Sequence, residues 1–415
     1  MIRSRLLASA LGLTLGLVAL SGAAQAAETT APAAAPAAER ASPSLIVTVV
    51  VDQLSANLFN QYRSQFTGGL KTLADQGMVS INGYQTHGVT VTCAGHSTVL
   101  TGAHPARSGI PANDWIDTTT GQETYCLAAP QNTLAHGKNT DNGPVGPEQL
   151  SASTLGDWLK AVSPESRVYG VSGKDRGAIN LAGHKGDGAF WLTDNFGFTT
   201  YVEPGQSAEA RLAPVAALNA RMIDRFTRQA PSWTYSNAAC RRLEGQWTIA
   251  GQTFDSKVPP ANFRLDNSPI LDELTIEGAI ELMDSRQLGR RGVTDMLGVS
   301  LSATDRIGHS YGTQGPEMCE QMLRLDTALG AFLDKLSTVP GGAIVVLTAD
   351  HGGSDFPERS AVEGYPHAGR VDRALQPRVN AALKARFGLD ADPVVSSAVS
   401  YTHLPSPRDL STSRM

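Results

Sequence analysis

Residues 343–353 read AIVVLTADHGG: an apolar run, then Asp350 and His351 side by side, then a glycine-rich turn. A short run rich in β-branched residues reads as a buried strand, and the two side chains that follow it are metal-ligand types. Two other apolar runs end in the same way. LIVTVVVD at 45–52 delivers Asp52, and MLGVSLSATDRIGH at 296–309 delivers Asp305 and His309. In open α/β sheets, ligands gather outside the carboxyl ends of parallel strands. Three strand ends offering only carboxylates and imidazoles therefore predict one shared metal centre, assembled from distant parts of the chain. A lone aspartate at a strand end is usually a solvated cap or an ion-pair partner, but three with the same punctuation are not explained that way.

Working outward, strands alternate with helical periodicity. The segment 58–77, LFNQYRSQFTGGLKTLADQG, reads as a helix ended by Gly77, and 78–88 reads as a strand leading into a loop. TVTCAGHSTVLTG at 90–102 reads as a loop that turns into a short helix. The stretch 151–162 has a Ser/Thr start and an amphipathic pattern, which predicts a helix. RVYGVSGKDRGA at 167–178 reads as a strand followed by a polar turn. Residues 213–229, 275–287 and 317–339 are helical by period. This alternation predicts an α/β fold, a mostly parallel central sheet with helices on both faces. The irregular, aromatic stretch from 232 to 266 is expected to be a cap-like insertion near the site.

The composition is that of a folded protein: 41% of the 415 residues are apolar and 18% charged. A net charge of −5 excludes the basic footprint of a nucleic-acid binder. At the start, MIRSRLL, a short apolar stretch and AQA predict a secretory signal peptide over 1–26. An Ala/Pro-rich linker over 27–43 follows, so the expected location is periplasmic or secreted, with no membrane span left after cleavage. The catalytic domain is expected over 44–399. The four cysteines, Cys93, Cys126, Cys240 and Cys319, favour disulfides in an exported protein. Cys93 with Cys126 and Cys240 with Cys319 is the preferred pairing, with four buried thiols the alternative.

Carboxylates and imidazoles suit a pair of zinc ions, whereas magnesium alone would favour oxygen ligands. Asp305 and His309 stand four residues apart, one helical turn, which places both on one side. Thr92 immediately precedes an expected helix start, where backbone N–H groups and the helix dipole attract phosphate. A threonine in that position is otherwise an N-cap.

In this order, VVVDQL, TVTCAGHSTVLTG, ANDWID, SGKDRGA, ATDRIGHSYG and TADHGG resemble the alkaline phosphatase superfamily over about residues 44 to 385. Within it they most resemble bacterial periplasmic zinc alkaline phosphatases with a threonine nucleophile. The resemblance implies that Thr92 attacks phosphorus and passes through a phosphothreonine. It implies one zinc on Asp52, Asp350, His351 and Thr92, and a second on Asp305, His309 and a further histidine. Calcium or magnesium as an auxiliary ion stays open. Asn113, Lys174 and Arg176 match positions that contact phosphate oxygens, and such added cations favour monoesters over diesters.

The further histidine is not found in matching surroundings. Beyond His351 stand only His367, in GYPHAGR, and His403, in a polar stretch at 399–415. Residues 400–415 are expected to be a non-native tail that follows a truncation of the domain. His87, His104, His136 and His184 read as surface or supporting groups, and His96 as a group that fixes the nucleophile loop without binding metal. The resulting expectation is zinc-dependent hydrolysis of small-molecule phosphate monoesters. The alternatives are a phosphodiesterase or nucleotide pyrophosphatase of the same superfamily, or a non-catalytic metal- or phosphate-binding remnant.

Overall fold

Strand β1 (Leu45–Val51) buries every residue except the half-buried Ile46, as a run that is apolar apart from Thr48 requires of a strand covered on both faces. In the computed structural model the described residues are 42–81, 83–137, 143–193, 197–256, 264–370, 372 and 374–394. The expected signal peptide, most of the linker and the 400–415 tail lie outside them.

The central sheet adds β2 (Val168–Ser172), β3 (Gly188–Leu192), β4 (Phe198–Thr199), β5 (Asp295–Leu301) and β6 (Ala343–Thr348) to β1. Their spatial order is β6-β1-β5-β2-β3-β4, and every pairing is parallel except β3 with β4. The α/β fold read from the sequence is the observed one. Register aligns the carboxyl ends: Val51 pairs with Leu301, Val50 with Thr348, and Ser300 with Ser172. Asp52, Asp350, Lys174 and the residues leading to Asp305 therefore leave the sheet on the same edge.

Strand alternation divides the core. Val47, Val49 and Val51 pack in one cluster with Leu274 of helix α3 (Ile270–Ser285) and Met322 of helix α5 (Pro316–Ser337). Val50 packs on the other face with Leu100 of α1 (Thr92–Thr101) and Leu181 of α2 (Asp175–Ala182). Each such aliphatic side chain contributes about 1.5–3 kcal/mol when fully buried. Val49→Asp would set an unpaired charge between β1 and α5 and break the sheet where Asp52 leaves it.

Several local expectations are corrected. The 343–348 run is not a buried strand but the edge of the sheet, with Ile344 51% and Val346 49% exposed. Its period-two exposure arises because one face carries no layer among the described residues. The helix expected over 58–77 breaks into Ala56–Tyr62, a short 3-10 turn and Gly69–Gln76. At the break, the Asp326 carboxylate of α5 accepts from the N–H groups of Thr67, Gly68, Leu70 and Lys71, which starts a new helix. No strand forms over 78–88 among its described residues; Met78 and Ile81 point to solvent with no partner strand beside them. The polar turn expected after β2 is only Gly173 and Lys174, for α2 begins at Asp175.

The insertion holds a short helix, Ala238–Arg241, and an antiparallel hairpin, Gly245–Ile249 with Gln252–Ser256. Two tethers fix it to α5. The Glu320 carboxylate accepts from the N–H groups of Ser236 (2.7 Å) and Asn237 (3.1 Å), and a disulfide joins Cys240 to Cys319. The second disulfide joins Cys93 to Cys126, so both expected pairings are present. No helix among the described residues is long and apolar enough to cross a membrane.

Candidate metal and phosphate site

Each site carboxylate is placed by a different piece of backbone. Asp52 follows β1 directly, and its N–H donates to Leu301 O at 2.9 Å, which extends the ladder by one residue. Asp350 follows β6 and is fully buried. Asp305 lies in the first turn of α4 (Ala303–Tyr311) rather than on a strand end, with His309 one turn later. Asp52, Asp350 and His351 present ligand atoms within 4.8 Å of one another, the geometry of a single cation site. His309 Nε2 lies 3.1 Å from Asp305 Oδ1, and His351 Nε2 lies 4.0 Å from the same oxygen, so the two half-sites adjoin. No third carboxylate, imidazole or thiol joins Asp305 and His309 among the described residues.

Lys174 sits between the half-sites. Its ammonium lies 2.5 Å from Asp52 Oδ2 and 2.5 Å from Asp305 Oδ2. Burial and the neighbouring Asp305 carboxylate favour a neutral Asp52, yet Lys174 and His351 outweigh them and hold it well below the usual range. Asp305 is likewise held down, against its burial, by Lys174, His309 and His351. Burial opposes a charge on His351, but Asp350, Asp52 and Asp305 raise it to about 10.

The donor set fits a metal on a direct observation. Asp52 Oδ1 and Asp350 Oδ2 are buried and accept no hydrogen bond. Imidazole nitrogens lie close by, His351 Nε2 at 3.2 Å from the first and His96 Nδ1 at 3.0 Å from the second. Leaving a buried carboxylate oxygen unsatisfied is costly, and a bound cation removes that cost.

Thr92 opens α1 as its first helical residue, with Val91 flanking it in an extended conformation. It is therefore not the N-cap. The helix start is seated on the Asp350 segment: a Cβ on Gly95 would come within 2.3 Å of Asp350 O, so only glycine lets the two backbones approach. His96, fully buried, bonds Thr92 O through Nδ1 (2.9 Å) and Ser300 Oγ through Nε2 (2.8 Å). It holds the Thr92 turn against β5. Asn113 Oδ1 accepts from Cys93 N–H at 2.9 Å, which brings Asn113 to the same helix start. Arg176 lies in the first turn of α2, 3.7 Å from Asp175, within electrostatic reach of Asp52 and Asp305.

One residue was not singled out in the sequence. Gln53, buried and with φ of +67°, donates its backbone N–H to Asp350 Oδ1 (3.1 Å) and its side-chain amide to Asp305 Oδ1 (3.0 Å). Two glycines clear its space: a Cβ on Gly308 would meet Gln53 Oε1 at 2.1 Å, and one on Gly353 would meet Gln53 Cδ at 2.5 Å. Its position directly after a strand-end aspartate was the available signal. The other histidines take supporting places. His104 bonds Thr86, His136 bonds Phe198 O, and His184 bonds Asp157 and Leu150 O.

A family model described as type I phosphodiesterase / nucleotide pyrophosphatase matches residues 46–401. Alkaline phosphatase PhoK of a Sphingomonas species is 39% identical over 365 residues, 86% of this chain and 63% of its own length. Alkaline phosphatase PhoD of Zymomonas mobilis is 38% identical over 355 residues, 83% of this chain and 60% of its own. The chain thus spans less than two thirds of the length of these curated relatives. The crystal structure of wild-type alkaline phosphatase PafA superposes with a TM-score of 0.76 at 28% identity, over 86% of this chain and 71% of that one. A PafA variant altered at a threonine, an asparagine, a lysine and an arginine gives 0.73 at 27% identity, over 83% of this chain and 69% of that one. The matched span and the shared fold together place the chain in the type I phosphodiesterase / nucleotide pyrophosphatase family of the alkaline phosphatase superfamily.

Proposed function

We propose that this chain carries the catalytic machinery of a zinc-dependent phosphatase that hydrolyses small phosphate monoesters and releases inorganic phosphate. The observation that carries the reading is the buried carboxylate pair Asp52 and Asp350, each with one oxygen that accepts no hydrogen bond, set beside a helix that opens on Thr92. The names of the similar proteins, alkaline phosphatases PhoK, PhoD and PafA, support it.

Zinc held by Asp52, Asp350, His351 and Thr92, and again by Asp305 and His309, would acidify the threonine hydroxyl and neutralise charge on the oxygens of an in-line displacement. Thr92 Oγ forms the new bond to phosphorus as the ester P–O bond breaks, and the alcohol leaves. Water then cleaves the phosphothreonine and regenerates the hydroxyl. His96 keeps the Thr92 turn in place, since both of its nitrogens are engaged. Asn113 uses its oxygen on Cys93 N–H, which leaves its amide N–H groups for phosphate. Were cations held by Asp52 and Asp305, the Lys174 ammonium would be free to donate to phosphate oxygens, and Arg176 would add a second charge. The PafA variant is altered at the same four residue types.

The test is turnover of 4-nitrophenyl phosphate against bis(4-nitrophenyl) phosphate during zinc titration of metal-free protein. Zinc-dependent turnover that prefers the monoester supports the proposal, and preference for the diester supports the second reading, a phosphodiesterase, which the family's description favours. Zinc and phosphate binding without turnover of either ester points to a non-catalytic binder. The leader over 1–26 directs export, checked by the N-terminal residue of protein recovered from the periplasm.

A further inference from the structure

A cleft of about 430 Å³ opens beside His309. One wall is the insertion hairpin, which contributes Trp247 and Phe254, and the others carry Tyr311 of α4 and Phe356. We infer that this cleft is the leaving-group subsite, built for monoesters whose alcohol carries a flat aromatic ring. The inference rests on the phosphatase reading, in which His309 lies on the leaving-group side of phosphorus.

Three features support it. First, the rings are organised. Phe254 and Phe356 stack with centroids 4.3 Å apart and planes 13° from parallel, and the Arg359 guanidinium lies 4.3 Å from the Phe356 centroid. Trp247 and Phe254 are cross-strand partners, which puts both side chains on one face of the hairpin. Second, Trp247 is 49% exposed within this cleft although the hairpin is tethered on its inner side by the Cys240–Cys319 disulfide and by Glu320. An indole left half-bare over a formed cleft offers a stacking surface that a planar group would cover. Third, the cleft wall mixes the acidic side chains of Asp255 and Glu317 with the cationic Arg359 and Arg370, so its polar rim offers both donors and acceptors to the edge of a bound ring. Binding energy from that remote ring becomes available to the reacting phosphoryl group.

The experiment compares kcat/KM of metal-loaded protein for methyl phosphate, 4-nitrophenyl phosphate and adenosine 5′-monophosphate in the parent chain, Trp247→Ala, Phe254→Ala and Trp247→Phe. The ratio of each aromatic ester to methyl phosphate should fall about tenfold in the alanine variants, mainly through KM, and recover in Trp247→Phe. A fall for only one aromatic ester narrows the subsite to aryl or to nucleoside alcohols. Unchanged ratios overturn the subsite while leaving the phosphatase reading intact. Absence of turnover with every ester is instead a failure of that reading. Calorimetric titration with adenosine alone then decides the subsite: saturable binding lost in Trp247→Ala upholds it, and no binding overturns it.

Discussion

Gln53 reaches Asp305 across 252 residues of sequence, its side-chain amide donating to Oδ1 at 3.0 Å. Its backbone N–H donates to Asp350, so one residue spans both half-sites. Groups that orient metal ligands typically matter 10- to 100-fold. Gln53→Ala is therefore expected to lower metal affinity and kcat/KM by about that factor, read by zinc titration calorimetry and initial rates. Gln53→Gly should lose the same activity yet be more stable than Gln53→Ala, because φ of +67° strains alanine and not glycine. Equal stability of the two would show that the left-handed backbone relaxes when the side chain is cut.

Thr92→Ala should reduce monoester turnover by about 10³-fold or more while phosphate still binds, whereas Thr92→Ser should keep measurable activity. Rapid-quench labelling with ³²P-phosphate ester, followed by phosphoamino-acid analysis, checks the covalent step. Label that remains on the Thr92→Ala protein would assign the nucleophile elsewhere.

Lys174→Ala should reduce monoester turnover by about 10²-fold and diester turnover by much less, since the diester lacks one non-bridging charge. Because Lys174 also separates Asp52 from Asp305 at 2.5 Å, zinc occupancy must be measured beside the rates. Equal losses on both ester classes would assign Lys174 to the metal site and not to phosphate.

The Cys93–Cys126 bridge ties the residue after Thr92 to the turn that follows strand Glu123–Tyr125, the antiparallel partner of Asp114–Ile116, where Cys126 N–H donates to Asn113 O at 2.8 Å. Cys126→Ser, with Cys93→Ser to remove the free thiol, should cost about 2–4 kcal/mol of stability. It should also lower kcat more than it raises KM, because Asn113 then loses its fixed position against Cys93 N–H. Denaturant unfolding and steady-state kinetics separate the two effects.

Asp272, which is not one of the candidate metal-site carboxylates, offers a pH test. Burial raises its pKa to about 7, although Ala303 N–H and the Gln321 amide donate to it. The shift is upward, so from the ordinary carboxylate value to about 7 the folded chain keeps a proton that the unfolded chain has released. Stability from this group is complete below that window and declines by about 1.4 kcal/mol per pH unit as pH rises through it. Asp272→Asn removes the titration, so the difference in unfolding free energy between variant and parent should move in the variant's favour from pH 4 to pH 7. A flat difference would show that Asp272 stays ionised throughout.

The groups of the candidate site were legible in the sequence because they are written locally. Apolar runs that end in Asp52 and Asp350, a helix spacing that joins Asp305 to His309, and a glycine-rich threonine segment all report residue identity and period, which burial and hydrogen bonding dictate within a few residues. The α/β class followed from the same kind of reading, whereas the cysteine pairing was only a preference that sequence leaves open and the folded chain decides. Other features required the folded chain. That β6 is an edge strand with Ile344 and Val346 exposed depends on which neighbours the sheet acquires, and its composition matches that of a central strand. The break at Gly68 depends on Asp326, more than 250 residues away, which supplies acceptors for a second helix start. The lodging of Lys174 between Asp52 and Asp305, the span of Gln53 and the aromatic cleft beside His309 arise from register between strands and from contacts across hundreds of residues. Local pattern determines which groups are available and which way each segment folds. Distances between segments are set only when the sheet closes its pairings and the helices pack over it.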